Sequence, residues 1–153
     1  MILALLAGWL WASGMEPCTT FTSADGRLFD IGAAYAASDL VAIGRVETGN
    51  GLTLRVSDKL KGSEGRKAVP LSEPKCAGTA CGGGFSVAPG VDLLFLLSKR
   101  PDGVYDSVTG NGNFSCPVVF EAKKSGVRIG KKVVPLKTLK KYLESKPKPF
   151  ALF

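Results

Sequence analysis

The residues of this chain best suited to covalent chemistry are its four cysteines, Cys18, Cys76, Cys81 and Cys116. Zinc binding by thiolates wants close pairs, and only Cys76 and Cys81 are close, with a gap that matches the usual pairs poorly. The C-x-x-C spacing of a redox motif is absent. No histidine occurs in the 153 residues, which removes His-based triads, imidazole metal ligands and histidine titration near neutral pH. The carboxylates Asp25, Asp30, Asp58, Glu64, Glu73, Asp102 and Asp106 are scattered over turn-like stretches, where turn and cap duty accounts for such residues. Ser13-Gly14 and Ser125-Gly126 have no partner base. Gly82-Gly83-Gly84 does not lead from a strand into a helix as a phosphate-binding loop does. General acid–base catalysis has little to work with, and the expectation is a non-catalytic chain with no cofactor and no metal.

The cysteines gain meaning from the N-terminus. Met1 to Trp11 carry no charged side chain, and Ala12-Ser13-Gly14 set small residues before a cut after Gly14. This predicts a signal peptide over residues 1–14, although no Lys or Arg precedes its apolar run. The competing reading is an apolar N-terminal strand. The run is too short to span a bilayer as a helix, so no transmembrane span is expected. Met15-Glu16-Pro17 lack the small residues that must precede a lipidated Cys18. An exported chain with an even number of cysteines suggests two disulfides, with three connectivities open. The expected location is secreted or periplasmic.

Charge is the other chemical resource. The net charge is +7. From Glu121 onward, ten Lys or Arg stand against Glu121 and Glu144, a net +8, while everything earlier carries ten basic and eleven acidic residues. A face built from Lys123, Lys124, Lys131, Lys132, Lys137, Lys140 and Lys141 could meet an acidic protein, an acidic glycan, lipid headgroups or nucleic acid. The plain alternative is a solvated surface. Lysine outweighs arginine and aromatics are few in this segment, so nucleic acid is not the expected partner.

These residues need a scaffold. Asp30 can cap a short helix reaching Ser38, with Ile31, Ala34, Tyr35 and Ser38 at helical spacing. Asp39–Thr48 alternates, with Leu40, Ala42, Gly44 and Val46 on one face. The turn Gly49-Asn50-Gly51 then leads to Leu52, Leu54 and Val56, a strong hairpin pattern. Lys67–Leu71 reads as a third strand and Ser72–Gly84 as a loop. Phe85 and Val87 read as a strand edge, and Val91–Leu97 as a central strand covered on both faces. Val104–Val108 and Cys116–Glu121 read as further strands. A hairpin turns at Gly130-Lys131, and Pro135 opens a helix with Leu136, Leu139 and Leu143 as its apolar stripe. The tail, residues 146–153, is Pro-interrupted, and its Phe150, Leu152 and Phe153 either dock or fray. The sum is one mainly β domain over residues 15–145, with five to seven short antiparallel strands and a helix near each end. A small closed Greek-key barrel, the OB-fold, would bury each strand's apolar face and remove exposed edges.

Three stretches taken in order resemble the N-terminal domain of tissue inhibitors of metalloproteinases, a netrin-like OB-fold module, in the style of its bacterial versions. They are Cys18 with a short helix and Ser38-Asp39-Leu40-Val41 running into Gly44-Arg45-Val46; Lys59-Leu60-Lys61-Gly62; and Cys81-Gly82 before Val91-Asp92-Leu93-Leu94-Phe95-Leu96, followed by Ser115-Cys116. The likeness covers residues 18–121. It implies a barrel whose N-terminal segment is tied down by disulfides, with Cys18 joined to Cys81 or Cys116. The second choice, with Cys76–Cys81, leaves no thiol over. It implies a binding role for Cys18, Thr19 and Thr20 towards a protein ligand, a metalloprotease being the family's example. In the animal inhibitors the amine and carbonyl of an N-terminal cysteine chelate the target's zinc. This chain departs there, with Met15-Glu16-Pro17 ahead of Cys18 and no C-x-C opening.

Overall fold

The computed structural model describes residues 21–23, 25, 27–73, 75–77, 80–82, 90–108 and 119–151, and for 75–77, 80–82 and 119 only their backbone. The described chain is mainly β, with antiparallel sheets and two helices. In order it runs β1 (Leu28–Phe29), α1 (Ile31–Ala37), β2 (Leu40–Gly49), β3 (Gly51–Lys61), β4 (Ala68–Pro70), β5 (Lys75–Ala77) and β6 (Ala80–Gly82). There follow β7 (Leu93–Lys99), β8 (Tyr105–Ser107), β9 (Val119–Lys123), β10 (Gly126–Ile129), β11 (Lys132–Val134), α2 (Leu136–Glu144) and β12 (Phe150–Ala151).

The main sheet follows the path β11-β10-β9-β7-β2-β3-β4, with β8 paired to β7 off that path. This path is open, not a closed ring of ladders. Its far strand meets β8 through one isolated parallel bridge, Leu71 with Tyr105, beside a hydrogen bond from the Ser72 N–H to the Tyr105 carbonyl at 2.9 Å.

The alternation of β2 and β7 sorts their residues into two cores, one on each face. Leu40, Ala42, Val46, Phe95 and Leu97 pack with Leu54, Val69, Leu71 and Tyr105 in the curl of β2, β3, β4, β7 and β8. Val41, Ile43, Leu94 and Leu96 point the other way, under Phe29, Ile31, Tyr35, Val127, Ile129, Leu139 and Leu143. A strand buried on both faces reads as a continuous apolar run, which explains Leu93–Leu97. Each fully buried Leu or Phe contributes about 1.5–3 kcal/mol, so both faces are needed.

The β2–β3 hairpin has Gly49 opposite Gly51, and its register shifts between Val41 and Ala42 and between Ile43 and Gly44. The two extra residues lie on β3 and turn Leu60 to the helical side of the sheet. At the second shift the strands approach so closely that a Cβ on Gly44 would sit 2.3 Å from the Arg55 carbonyl oxygen.

Asp30 caps α1, its carboxylate accepting the Ala33 N–H at 2.9 Å. The helix's final carbonyls are also met, since Lys61 Nζ donates to Tyr35 O at 2.8 Å and Ala36 O at 2.9 Å. Such cations suit a helix C-terminus. Tyr35 Oη donates to Glu144 Oε1 at 3.3 Å and so joins α1 to α2.

Two expectations change, and one left open is decided. Leu136, assigned to the apolar stripe of α2, is exposed, whereas Leu139 and Leu143 are buried; as the first helical residue, Leu136 projects past the sheet that covers the others. The loop expected over Ser72–Gly84 contains the β5–β6 hairpin. In the tail Phe150 docks: β12 pairs with β1, and the Phe150 ring meets Phe29 edge-on at 6.0 Å. The strand expected at Phe85 and Val87, and residues 116–118 of another, lie outside the described residues.

Candidate functional site

Cys18, Thr19, Thr20 and Cys116 lie outside the described residues. Cys76 and Cys81 are directly opposed across β5 and β6. Opposed residues of an antiparallel pair have Cα atoms about 4.5–5.5 Å apart, a separation that a disulfide can bridge.

One end of the curled sheet gathers the start of β2, the β3–β4 loop and the β7–β8 turn around an open polar cleft of about 500 Å³. Asp39, Glu64, Lys99, Arg100 and Tyr105 line it. Gly62 makes the loop's entry possible: its φ is +111°, and a Cβ there would lie 2.5 Å from the Asp39 carbonyl oxygen. Glu64 is the best-held charge of the described residues. Arg66 grips it in a fork, Nε to Oε1 at 2.9 Å and Nη2 to Oε2 at 2.8 Å. The Arg66 N–H and the buried Tyr105 hydroxyl also donate to it, at 3.0 and 2.9 Å. The Arg66 hydrogen bonds, helped by the one from Tyr105, hold the Glu64 carboxyl far below its ordinary pKa. Burial and the Glu64 charge push the Tyr105 hydroxyl up. Asp39 is committed too, accepting the Lys99 N–H at 2.7 Å. Both carboxylates are thus locked as structural acceptors; of the cations lining the cleft, Arg100 pairs with Asp102 at 3.1 Å.

Sequence reasoning placed Glu64 on a turn but missed Tyr105 as its partner. Their separation of 41 residues leaves no local pattern from which to read the contact.

The third feature is the basic surface. All ten Lys and Arg side chains between residues 121 and 151 are exposed. Among the described residues, one of them, Lys123, has a carboxylate within salt-bridge distance, Glu121 at 3.6 Å. The arginines earlier in the chain differ. Arg45 forks onto Asp92 and Arg55 onto Glu47, each with a closest contact of 2.6 Å. Arg27, Arg66 and Arg100 also have acidic partners. Arg45 and Arg55 are opposed across β2 and β3, where like charges repel, and their carboxylates neutralise them one by one. In the C-terminal segment, among the described residues, Lys123 alone has such a partner. The segment's lysines sit on the β9–β10–β11 meander and on the outer face of α2, with Lys132 Nζ 5.0 Å from the centre of the Tyr142 ring.

Among the described residues no three Cys, Asp or Glu side chains converge as metal ligands, and no helix is long and apolar enough to cross a membrane. No family model matches the chain, and no curated protein or solved structure matches it either.

Proposed function

We propose that this chain is an exported, non-catalytic binding module built on a five-stranded OB-type barrel of the netrin-like kind. One observation carries the reading. The strands β8-β7-β2-β3-β4 are antiparallel neighbours, the Leu71–Tyr105 contact joins the two outer ones in parallel, and a single apolar core fills the space between them. Such an arrangement supports a small Greek-key barrel. The fold alone does not give function; the binding role comes from the resemblance, with Cys18, Thr19 and Thr20 as the contact segment. Disulfides Cys18–Cys116 and Cys76–Cys81 would hold it, the long-loop bridge contributing about 3–5 kcal/mol on the chain-entropy model.

The partner in this reading is a protein, and a zinc metalloprotease is the first to test. Metal chelation needs an uncharged α-amine on Cys18 itself. A mature chain that begins at Cys18 and inhibits such an enzyme until its amine is acetylated is the outcome for an inhibitor. A mature chain that begins at Met15 makes that nitrogen an amide and excludes this mechanism. Reduction should lower the melting temperature. Four unmodified thiols in natively isolated protein would overturn the disulfides.

A second reading is favoured by the basic surface, where Lys123 alone has a carboxylate partner among the described residues, and which suits an acidic partner held by charge. It predicts binding that falls steeply with ionic strength, whereas contact through the N-terminal segment would depend on intact disulfides and little on salt.

A further inference from the structure

The main sheet ends at β11, and among the described residues no strand pairs with the outer side of β11. The β10–β11 hairpin decides what that edge shows. Its two-residue turn, Gly130-Lys131, leaves Ile129 and Lys132 as the first opposed pair and Arg128 and Val133 as the second. In a hairpin of this kind the first pair exchanges both ladder hydrogen bonds and the second exchanges none. The Val133 N–H and carbonyl therefore point away from β10, off the open edge, and no turn or cap bond among the described residues takes them up. Cations frame this edge. Lys131 and Lys132 come directly before Val133, and all three are exposed. Lys132 lies on the side of the sheet that α2 covers, over the Tyr142 ring. Arg128 and Val133 lie on the opposite side, where they line a shallow hollow of about 240 Å³ with Lys123.

From this juxtaposition we infer that β11 docks an acidic, extended segment of a protein partner, added to the sheet as one more strand. The inference rests on the second reading above and names its partner. A free N–H beside a free carbonyl is matched by another backbone, the contact that strand addition supplies. Polyanions whose charges are sulfate or phosphate reward the lysines but carry no peptide backbone to pair with Val133. A second copy of this chain has the backbone and the wrong charge. Pairing β11 with β11 would set Lys131 and Lys132 against their counterparts, where like charges repel. Lysines guard many sheet edges in this way, and here the guard refuses copies of the chain while admitting a strand of opposite charge. Alternation sets the partner's pattern. Its residue opposite Val133 falls on the hollow side, where an apolar side chain would cover Val133. Its neighbour opposite Lys132 falls on the α2 side, where a carboxylate would meet Lys132. The edge offers the backbone groups of one residue, so charge supplies much of the affinity and the backbone supplies the orientation.

The test uses the full chain and a short peptide of alternating glutamate and valine, blocked at both ends. Titration followed by amide NMR should move the Lys132 and Val133 signals most. Binding should weaken by roughly tenfold or more as salt rises from about 0.05 to about 0.3 M. The same peptide N-methylated along its backbone keeps its charges, loses its donors and should bind roughly tenfold more weakly. Val133→Pro removes the outward N–H and leaves the β10 ladder intact. It should weaken the unmethylated peptide in the same measure, with retention on a sulfated polysaccharide column unchanged; should that variant fail to fold, the two peptides on the wild type decide. Lys131→Glu, Lys132→Glu should abolish peptide binding. Equal binding of the two peptides, or shifts centred away from β11, would overturn the inference. Retention on the polysaccharide without peptide binding would overturn it too while leaving the charge reading intact. Failure to bind either would overturn both.

Discussion

Glu64 concentrates more interactions than any other carboxylate among the described residues, and its chemistry sets a pH dependence. Its pKa is depressed in the folded state, so its stabilisation is fully present above the unfolded-state pKa, about 4.3. It is lost as pH falls through that value towards the lower folded one. The melting temperature of the wild type should therefore drop between about pH 5 and about pH 2.5 more than that of Glu64→Gln. The variant should be less stable at neutral pH, and the gap should narrow in acid; calorimetry across that range checks it. Tyr105→Phe should cost about 1 kcal/mol by removing the hydroxyl donor. Gly44→Ala drives a methyl against the Arg55 backbone and should cost about 2 kcal/mol or more, read by denaturant unfolding. A Gly within alternating apolar residues hints at a bulge or close approach. No pattern around Glu64 hints at Tyr105, because the contact exists only once β3, β4 and β8 have come together.

At the scale of elements, the segments whose identity was plain were those with local codes. They are the Asp30-capped helix, the hairpin at Gly49-Asn50-Gly51, the hairpin at Gly130-Lys131 and the doubly buried β7. What the sequence could not give was which end of an apolar stripe runs out of partners. Helical spacing treats Leu136, Leu139 and Leu143 alike, yet the sheet beneath α2 covers only the last two. Leu139→Ala should cost about 2–5 kcal/mol and Leu136→Ala within about 0.5 kcal/mol, a contrast that thermal unfolding resolves. Just beyond α2, Lys146 holds a left-handed φ of +53°, a conformation costly for any residue with a Cβ. Lys146→Gly should raise stability by about 0.5–1 kcal/mol. The reciprocal position is Gly32 in α1, where an added Cβ would lie 3.0 Å from the Lys146 Cα, so the segment that follows α2 comes this close to α1 where α1 offers no side chain.

For the molecule as a whole, β2 and β7 belong to both cores, and a hole on one side is felt on the other. Phe95→Ala and Leu96→Ala, which open opposite faces of the same strand, should each lower a single unfolding transition, with backbone and aromatic probes coincident. Separate transitions would mean that the helical layer melts apart from the curl. The mainly β class and the two flanking helices were legible from period and turn chemistry. The number of strands was not, because β1, β5, β6 and β12 are two or three residues long and, unlike the equally short β4, β8 and β11, do not sit in longer apolar runs bounded by turns. The Leu71–Tyr105 bridge, finally, makes the curl a garment fastened by one button. Around most of its circumference, ladders of several hydrogen bonds must break together, whereas along this line the described residues offer the Leu71–Tyr105 bridge with the Ser72 N–H and, beside them, the Tyr105 hydroxyl on Glu64. Breathing should begin there, so the Ser72 amide should exchange with deuterium well before those of Val41 or Leu96. Solvent would then reach the core around Phe95 and Tyr105 through a slit that opens along that line.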